Sequence, residues 1–478
     1  MKINAYSGDT TLTKVVTQIA VAMSILFVGF ANANANANAP EKAADRHRYF
    51  PVGTATSDDS RRVAVPPGYG APQGWLVLKG GRIFDGTGSA VYSGSIVIKQ
   101  NKVAKILHEA STDWPEDARI IDVAGKTLMP GLIDLHTHLS YSVPGLSPAD
   151  TLDSAAAALR GAERLRYYIE SGITSVRDVA SLGAVPFQLK KWVAGNLLPG
   201  PRVFPAGKII VGTGGHGAEG LDIHAPLYGS VREASGPDDW REAVREQFKA
   251  GADLIKIGSH FSQAEIEAAV DEAHELGIRV TVDAESFYIE RAVAAGADCI
   301  EHFFPRTDKT IRSMAKRGVH SVPTLITGQI FLDLAGGYYG STSRRFEFSV
   351  DSGFETLKQM RRAGVVMGIG TDLVSDWFRY LPSPYIGELK WFVKAGYTLP
   401  EALVAATKQG AEILGIDDKL GTLEIGKLAD VLVVDGQPDK NLEDLAKVDT
   451  VIRNGFVVVQ DGSVVIERHM SRDMPPSR

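Results

Sequence analysis

The 478-residue chain is 44% hydrophobic and 23% charged, an ordinary balance for a soluble globular protein with one large core and a smaller domain. A formal net charge of −6 supplies no basic footprint and argues against a nucleic-acid partner. Cys299 is the sole cysteine, which excludes an intrachain disulfide and any CxxC metal or redox motif.

At the N-terminus, Lys2 and Lys14 precede the apolar run Val15 to Phe30, and the small-residue repeat Ala31-Asn32-Ala33-Asn34-Ala35 follows. Charged, apolar and A-x-A segments in that order read as a secretory signal peptide over residues 1–37, with cleavage near Ala33 to Ala37. The apolar run is short for a membrane span and is interrupted by Thr17 and Gln18. The expectation is therefore an exported, periplasmic or secreted protein with no stable membrane insertion. A Pro/Gly-rich linker over residues 38–73 follows.

Residues 74–129 read as short strands: Leu76 to Leu78, Gly81 to Phe84, Ser95 to Ile98 and Lys102 to Leu107. A second set lies in residues 421–468: Asp430 to Val434, Thr450 to Arg453, Gly455 to Val459 and Val464 to Glu467, before a tail at 469–478. Neither set makes a domain alone, so the two ends of the chain are expected to share one small β-sandwich.

Residues 130–420 alternate strand and helix. Strands are expected at Gly131 to Leu135, Thr174 to Arg177, Arg202 to Ile210, Leu254 to Ile257, Arg279 to Val282, Cys299 to His302, Ser321 to Leu325 and Val365 to Gly370. Eight strands with intervening helices point to an α/β fold, a (β/α)8 TIM barrel, with an open doubly wound sheet as the rival. Ser262-Gln263-Ala264-Glu265 is a capping box, and Gly277 ends the helix that it opens.

His136 and His138 lie two apart at the end of the first barrel strand, so both imidazoles face one side. That is how a strand supplies two ligands to a metal such as zinc, although two satisfied strand-end histidines would look the same. Lys256, His302 and Asp372 end strands four, six and eight. A lysine among apolar residues is costly unless it is neutralised or paired. Gly212 to Gly217 satisfies GxGxxG, but the following Gly220 and Pro226 deny it the helix a dinucleotide site needs. No GxSxG elbow is present for a serine hydrolase. His224, His260, His274 and His320 read as surface or packing residues, and residues 328–348 as a lid or a surface excursion.

The stretch Leu128-Met129-Pro130-Gly131-Leu132-Ile133-Asp134-Leu135-His136-Thr137-His138 resembles the opening motif of the amidohydrolase superfamily. Gly172 to Asp178, Gly214-Gly215-His216-Gly217 and Gly421 to Asp430 resemble its prolidase-like and imidazolonepropionase-like branch. The resemblance spans about Gly74 to Asp461. It implies a binuclear divalent-metal site, zinc or alternatively manganese. In it His136, His138 and Asp372 hold one ion, carboxylated Lys256 bridges, and His302 helps hold the second.

Strand five departs from that pattern. It reads Val280-Thr281-Val282-Asp283-Ala284-Glu285, with Asp283 where the family places a histidine ligand. Asp283 is expected as a retained but altered ligand, a weak or empty second site being the alternative. The expected activity is hydrolysis of a small amide, such as an Xaa-Pro dipeptide or an N-acyl or aryl amide of an amino acid. Water would be activated by the metal, with Asp372 as general acid and base. An ester, lactone or carbamate hydrolase, and a non-catalytic ligand-binding barrel, are the competing readings. His216 and Arg177 are candidate substrate contacts, the alternatives being a structural loop histidine for His216 and an ion pair to Asp178 or another acid for Arg177, and a homo-oligomer is expected.

Overall fold

The computed structural model describes residues 72–108, 111–141, 153–218, 229–335 and 349–465. The signal-peptide expectation, the linker up to residue 71, His224, residues 336–348 of the lid segment and the tail lie outside the described residues.

Strands from both ends of the chain form one nine-stranded sheet. Its N-terminal part is β1 (Trp75–Ile83), β2 (Tyr92–Lys99), β3 (Lys102–His108), β4 (Arg119–Asp122) and β5 (Thr127–Pro130). Its C-terminal part is β15 (Val431–Val434), β16 (Val448–Arg453), β17 (Phe456–Gln460) and β18 (Ser463–Val464). The two parts meet where β5 pairs antiparallel with β15, Leu128 opposite Val433 and Pro130 opposite Val431. Apolar residues alternate inward to give a separate small core that includes Leu78, Ile96, Leu128, Val433 and Ile452.

The barrel strands are β6 (Leu132–Thr137), β7 (Ile173–Asp178), β8 (Arg202–Pro205), β9 (Ile209–Gly212), β11 (Leu254–Gly258), β12 (Arg279–Asp283), β13 (Cys299–Glu301) and β14 (His320–Val322). All their pairings are parallel. The single strand expected over Arg202 to Ile210 is broken into β8 and β9. Gly207 takes φ +78° between them, and a Cβ there would lie 2.5 Å from Gln247 Oε1, so only glycine makes this step. The break lets the first half pair β7 and the second half pair β11, with β10 (Val231–Ala234) on its outer edge.

The eighth barrel segment differs from expectation too. Residues 365–370 form no ladder of their own, only a parallel bridge from Met367 to Ser321, and a second bridge follows from Leu373 to Thr137. Hydrogen bonds from Gly368 N to Ser321 O (3.1 Å) and from Leu135 N to Ile369 O (2.9 Å) close the ring between β14 and β6. Strand seven is shorter than expected, because Thr324 at φ 52° turns the chain and Leu325 opens the helix Leu325–Ala335. That helix occupies the first part of the expected lid.

Five of the described α-helices begin at side-chain caps, at Asp153, Ser262, Thr307, Ser349 and Thr398. The expected capping box at Ser262 and Glu265 is present, starting the helix Gln263–Glu275. Among the described residues no helix is long and apolar enough to cross a membrane.

Barrel and sheet are tied by a buried ion pair. Arg202, in β8, donates from Nε and Nη2 to both oxygens of Asp430 at 3.0 and 2.6 Å, and Asn454 N donates to the same carboxylate at 2.7 Å. Both side chains are buried, so removing one partner strands the other's charge in a dry interface. Asp430→Ala is expected to cost about 3–5 kcal/mol of stability, and an Arg202→Met, Asp430→Leu pair much less. Urea unfolding checks this; similar losses in the single and double variants would show that the ion pair is not the tie.

Candidate metal centre

β6 ends on Thr137, which leaves His136 in the strand and His138 one step past it. Strand parity keeps both imidazoles on the inner side, with ring centroids 5.2 Å apart. Asp372 joins them through the glycines of the eighth segment. A Cβ on Gly370 would fall 2.5 Å from Val322 Cγ1 and 2.8 Å from His136 Cβ, so the backbone approaches as glycine alone allows. Asp372 N then donates to His136 O at 2.7 Å, and the residue takes the left-handed φ of 49°. His136, His138 and Asp372 each present a ligand atom, all within 4.8 Å of one another.

The protons of this trio can be placed from the outer partners. His136 Nδ1 lies 2.8 Å from Glu301 Oε2, and His138 Nδ1 lies 3.0 Å from the Ala180 carbonyl. Both partners only accept, so each Nδ1 carries the N–H. Burial, with the Lys256 charge second, pushes His136 down to about 3, so its imidazole is neutral near pH 7. Its Nε2 therefore offers a lone pair, as does that of His138 whenever that ring is neutral. These nitrogens lie 3.3 and 3.1 Å from the same atom, Asp372 Oδ1. Lone pairs converging on a carboxylate oxygen fit a divalent cation among them.

Beneath the trio, Glu301 is fully buried and multiply bonded. Arg177 Nη2 donates to its Oε1 at 2.6 Å, the Thr281 hydroxyl donates to the same oxygen, and His136 Nδ1–H donates to Oε2. Burial pushes Glu301 up, but Arg177, His136 and Lys256 together bring it well below the usual range. Arg177 also donates from Nε to Leu135 O at 2.5 Å. Of the two readings of Arg177, the structure has the ion pair to an acid: only 2% exposed, it sits under the site and holds Glu301.

Across the pocket stand Lys256, Asp283, His302 and His216. Asp283 Oδ2 is their meeting point, 3.0 Å from His302 Nε2, 3.4 Å from His216 Nε2 and 3.8 Å from Lys256 Nζ. His302 turns at φ 61°, past the end of β13, and its Nδ1 lies 2.8 Å from Thr324 Oγ1. Lys256 is 1% exposed, and its Nζ makes no hydrogen bond.

All six expected metal-site residues and His216 line one pocket of about 810 Å³, its open mouth included. Phe303, Phe304, Phe331 and Val374 give it an apolar wall. His274, read as a packing residue, is one: it is buried and bonded to Asp298 at 2.8 Å. The sequence reading missed Glu301 and Asp134. Asp134 accepts from His136 N and from the Thr371 N–H and hydroxyl, and burial pushes it up to about 7. The available signal was a charge inside each of three apolar strands, at Asp134, Arg177 and Glu301.

Comparison with known proteins places the chain in a family. The model of the amidohydrolase family matches residues 127–458. The imidazolonepropionase of Brevibacillus brevis is 25% identical over 415 residues, 78% of this chain and 92% of its own. A solved prolidase complexed with N-methylphosphonate-L-proline is 31% identical with a TM-score of 0.73, covering 81% of this chain and all of that one. A solved Xaa-Pro dipeptidase with methionine in its active site is 28% identical with a TM-score of 0.71, covering 80% and 99% of the two chains. A family model matching more than half of the chain, over a barrel with this strand-end constellation, leads to one conclusion: the chain belongs to the amidohydrolase family, hydrolases acting on carbon–nitrogen bonds.

Proposed function

We propose that this enzyme hydrolyses a small amide, an Xaa-Pro dipeptide or an N-acyl or aryl amide of an amino acid, at a divalent-metal centre built on His136, His138 and Asp372. The observation that carries this reading is the division of labour within Asp372. Its Oδ1 lies against both imidazoles, while Oδ2 lies 3.9 Å from His302 Nδ1, too far for a hydrogen bond. One oxygen is thereby committed to the cation and the other is left for a proton. Two imidazoles and a carboxylate are ligands suited to zinc. A divalent cation held there polarises the scissile carbonyl and lowers the pKa of water.

The protein's own part is proton traffic and placement. Asp372 Oδ2 takes the proton of the attacking water and returns it to the leaving nitrogen as the tetrahedral carbon collapses. Glu301 keeps His136 in the tautomer that points its Nε2 lone pair at the cation. The wall of Phe303, Phe304 and Phe331 receives an apolar group beside the scissile bond. The dipeptide preference is supported by the two prolidase-like structures and the apolar wall.

A panel of Xaa-Pro dipeptides, N-acyl amino acids, aryl amides, esters and lactones, run with and without a chelator, tests the reaction class. Chelator-sensitive turnover of an amide is the expected result; turnover confined to esters or lactones would overturn the amide assignment. Asp372→Asn is expected to lower kcat by about 10²–10⁴-fold, the usual worth of a general acid–base group, while metal content changes far less. Near-normal turnover would remove Asp372 from proton transfer. Glu301→Gln keeps an acceptor for Arg177 but turns an N–H toward His136 Nδ1, which flips the imidazole and puts its proton on the ligand nitrogen. Metal affinity, measured by competition with a chelator, should fall about 10–100-fold, and an unchanged affinity would refute this tautomer argument.

A further inference from the structure

The two halves of the pocket differ in what their polar atoms require. On the His136 and His138 side, outer partners fix a proton on each Nδ1, and both Nε2 atoms converge on Asp372 Oδ1, an arrangement that calls for a cation. On the opposite side the same accounting closes for His302 without one. Thr324 Oγ1 can donate its hydroxyl proton to His302 Nδ1, which leaves Nε2 carrying the N–H that points at Asp283 Oδ2 at 3.0 Å. His216 Nε2 approaches the same oxygen at 3.4 Å. Lys256 Nζ, 1% exposed and without a hydrogen bond, lies 3.8 Å from it. Donors from three residues thus surround one carboxylate oxygen.

The residue at position 283 decides this difference. A histidine at the end of β12 would offer a further neutral lone pair and no charge. Lys256 would then be a buried cation in need of neutralisation, which carboxylation of its amine provides. Aspartate reverses both properties: it gathers N–H donors and supplies the negative charge that a buried lysine needs. It also sits where it competes with a metal for both His302 and Lys256.

Building on the reading of this pocket as a hydrolytic metal centre, we propose that it takes a single cation, held by His136, His138 and Asp372. The Lys256–Asp283 ion pair, flanked by His216 and His302, stands in place of a second cation. Lys256 is a positioning residue in this arrangement: it stays an uncarboxylated ammonium, and its charge fixes Asp283 and through it His216 and His302. Carboxylation would join its neutral amine to carbon dioxide with release of one proton, and Asp283 removes the reason for that step.

The test is metal stoichiometry of the full chain, loaded with excess zinc in bicarbonate buffer, dialysed and measured by mass spectrometry of the metal. One zinc per chain is expected for the unaltered protein and two for Asp283→His. Equilibration with ¹³C-bicarbonate should show no carbamate carbonyl resonance in the unaltered protein, which keeps the question decidable if the variant does not fold. Two zinc ions per chain, or a carbamate resonance, in the unaltered protein would overturn the one-cation centre and leave the hydrolase reading standing. A chain retaining no zinc would overturn the hydrolytic centre itself. An Asp283→His chain that still holds one ion would overturn the role given to Asp283.

Discussion

Glu301 has no contact with solvent, yet it carries the charge around which the site is assembled. Its carboxylate receives the Arg177 guanidinium and the Thr281 hydroxyl on one oxygen and the His136 Nδ1–H on the other. A buried carboxylate is tolerable only because its lone pairs are used and its charge is opposed. The dependence also runs outward. Glu301 decides which nitrogen of His136 carries the proton, and so whether the other can bind a cation. Arg177, by gripping the Leu135 carbonyl as well, links the acid to the strand that carries both histidines. The centre is therefore preorganised from below, by β7 and β13, before any group above it takes part.

The same logic explains how the backbone serves the chemistry. Ligating side chains must converge to within a few ångströms, although they come from strand ends on different sides of a barrel. Strand parity achieves this for His136 and His138 at no cost. Asp372 needs more: Gly370 lets the eighth segment press onto His136, and the left-handed turns at Asp372, His302 and Thr324 direct the chain at the barrel mouth. Three non-glycine residues with positive φ around one pocket are conformationally costly, and such residues cluster at functional sites. The packing that holds them also ties the site to the terminal sheet, since Arg202 in β8 is anchored by Asp430 at the start of β15.

Much of this was legible in the residues alone, and the reason is periodicity. Alternating strand and helix patterns revealed the barrel, and ligand-type residues at the ends of strands one, four, six and eight marked its mouth. What periodicity does not encode is partnership. Arg177 reads as a charge at a strand end, and nothing in its neighbours shows that its guanidinium turns under the site toward Glu301, 124 residues later. Glu301 precedes His302 directly, so opposite strand parity hides it behind the more conspicuous ligand. The break at Gly207 and the loss of a ladder at residues 365–370 have the same origin. Both depend on how closely another segment approaches, which a one-dimensional pattern cannot report.

Asp283 shows what a single position does within such a frame. The residues around it, Lys256, His302 and His216, are groups that a two-metal centre would employ, and the barrel delivers them to the same place. Their chemistry is nevertheless set by whether position 283 donates a lone pair or collects protons. With aspartate there, nitrogens otherwise available to a metal have an internal acceptor, and the buried lysine has a counter-ion. The tautomers on the His136 side do not depend on position 283, because Glu301 and the Ala180 carbonyl place the Nδ1 protons, and Lys256 acts on His136 through its charge alone. One half of the site can thus lose its demand for a cation while the other keeps it. Asp372 stands at the boundary, with Oδ1 beside His136 and His138 and Oδ2 toward His302, so the proposed proton transfer and cation binding fall together on the half whose imidazoles have fixed protons.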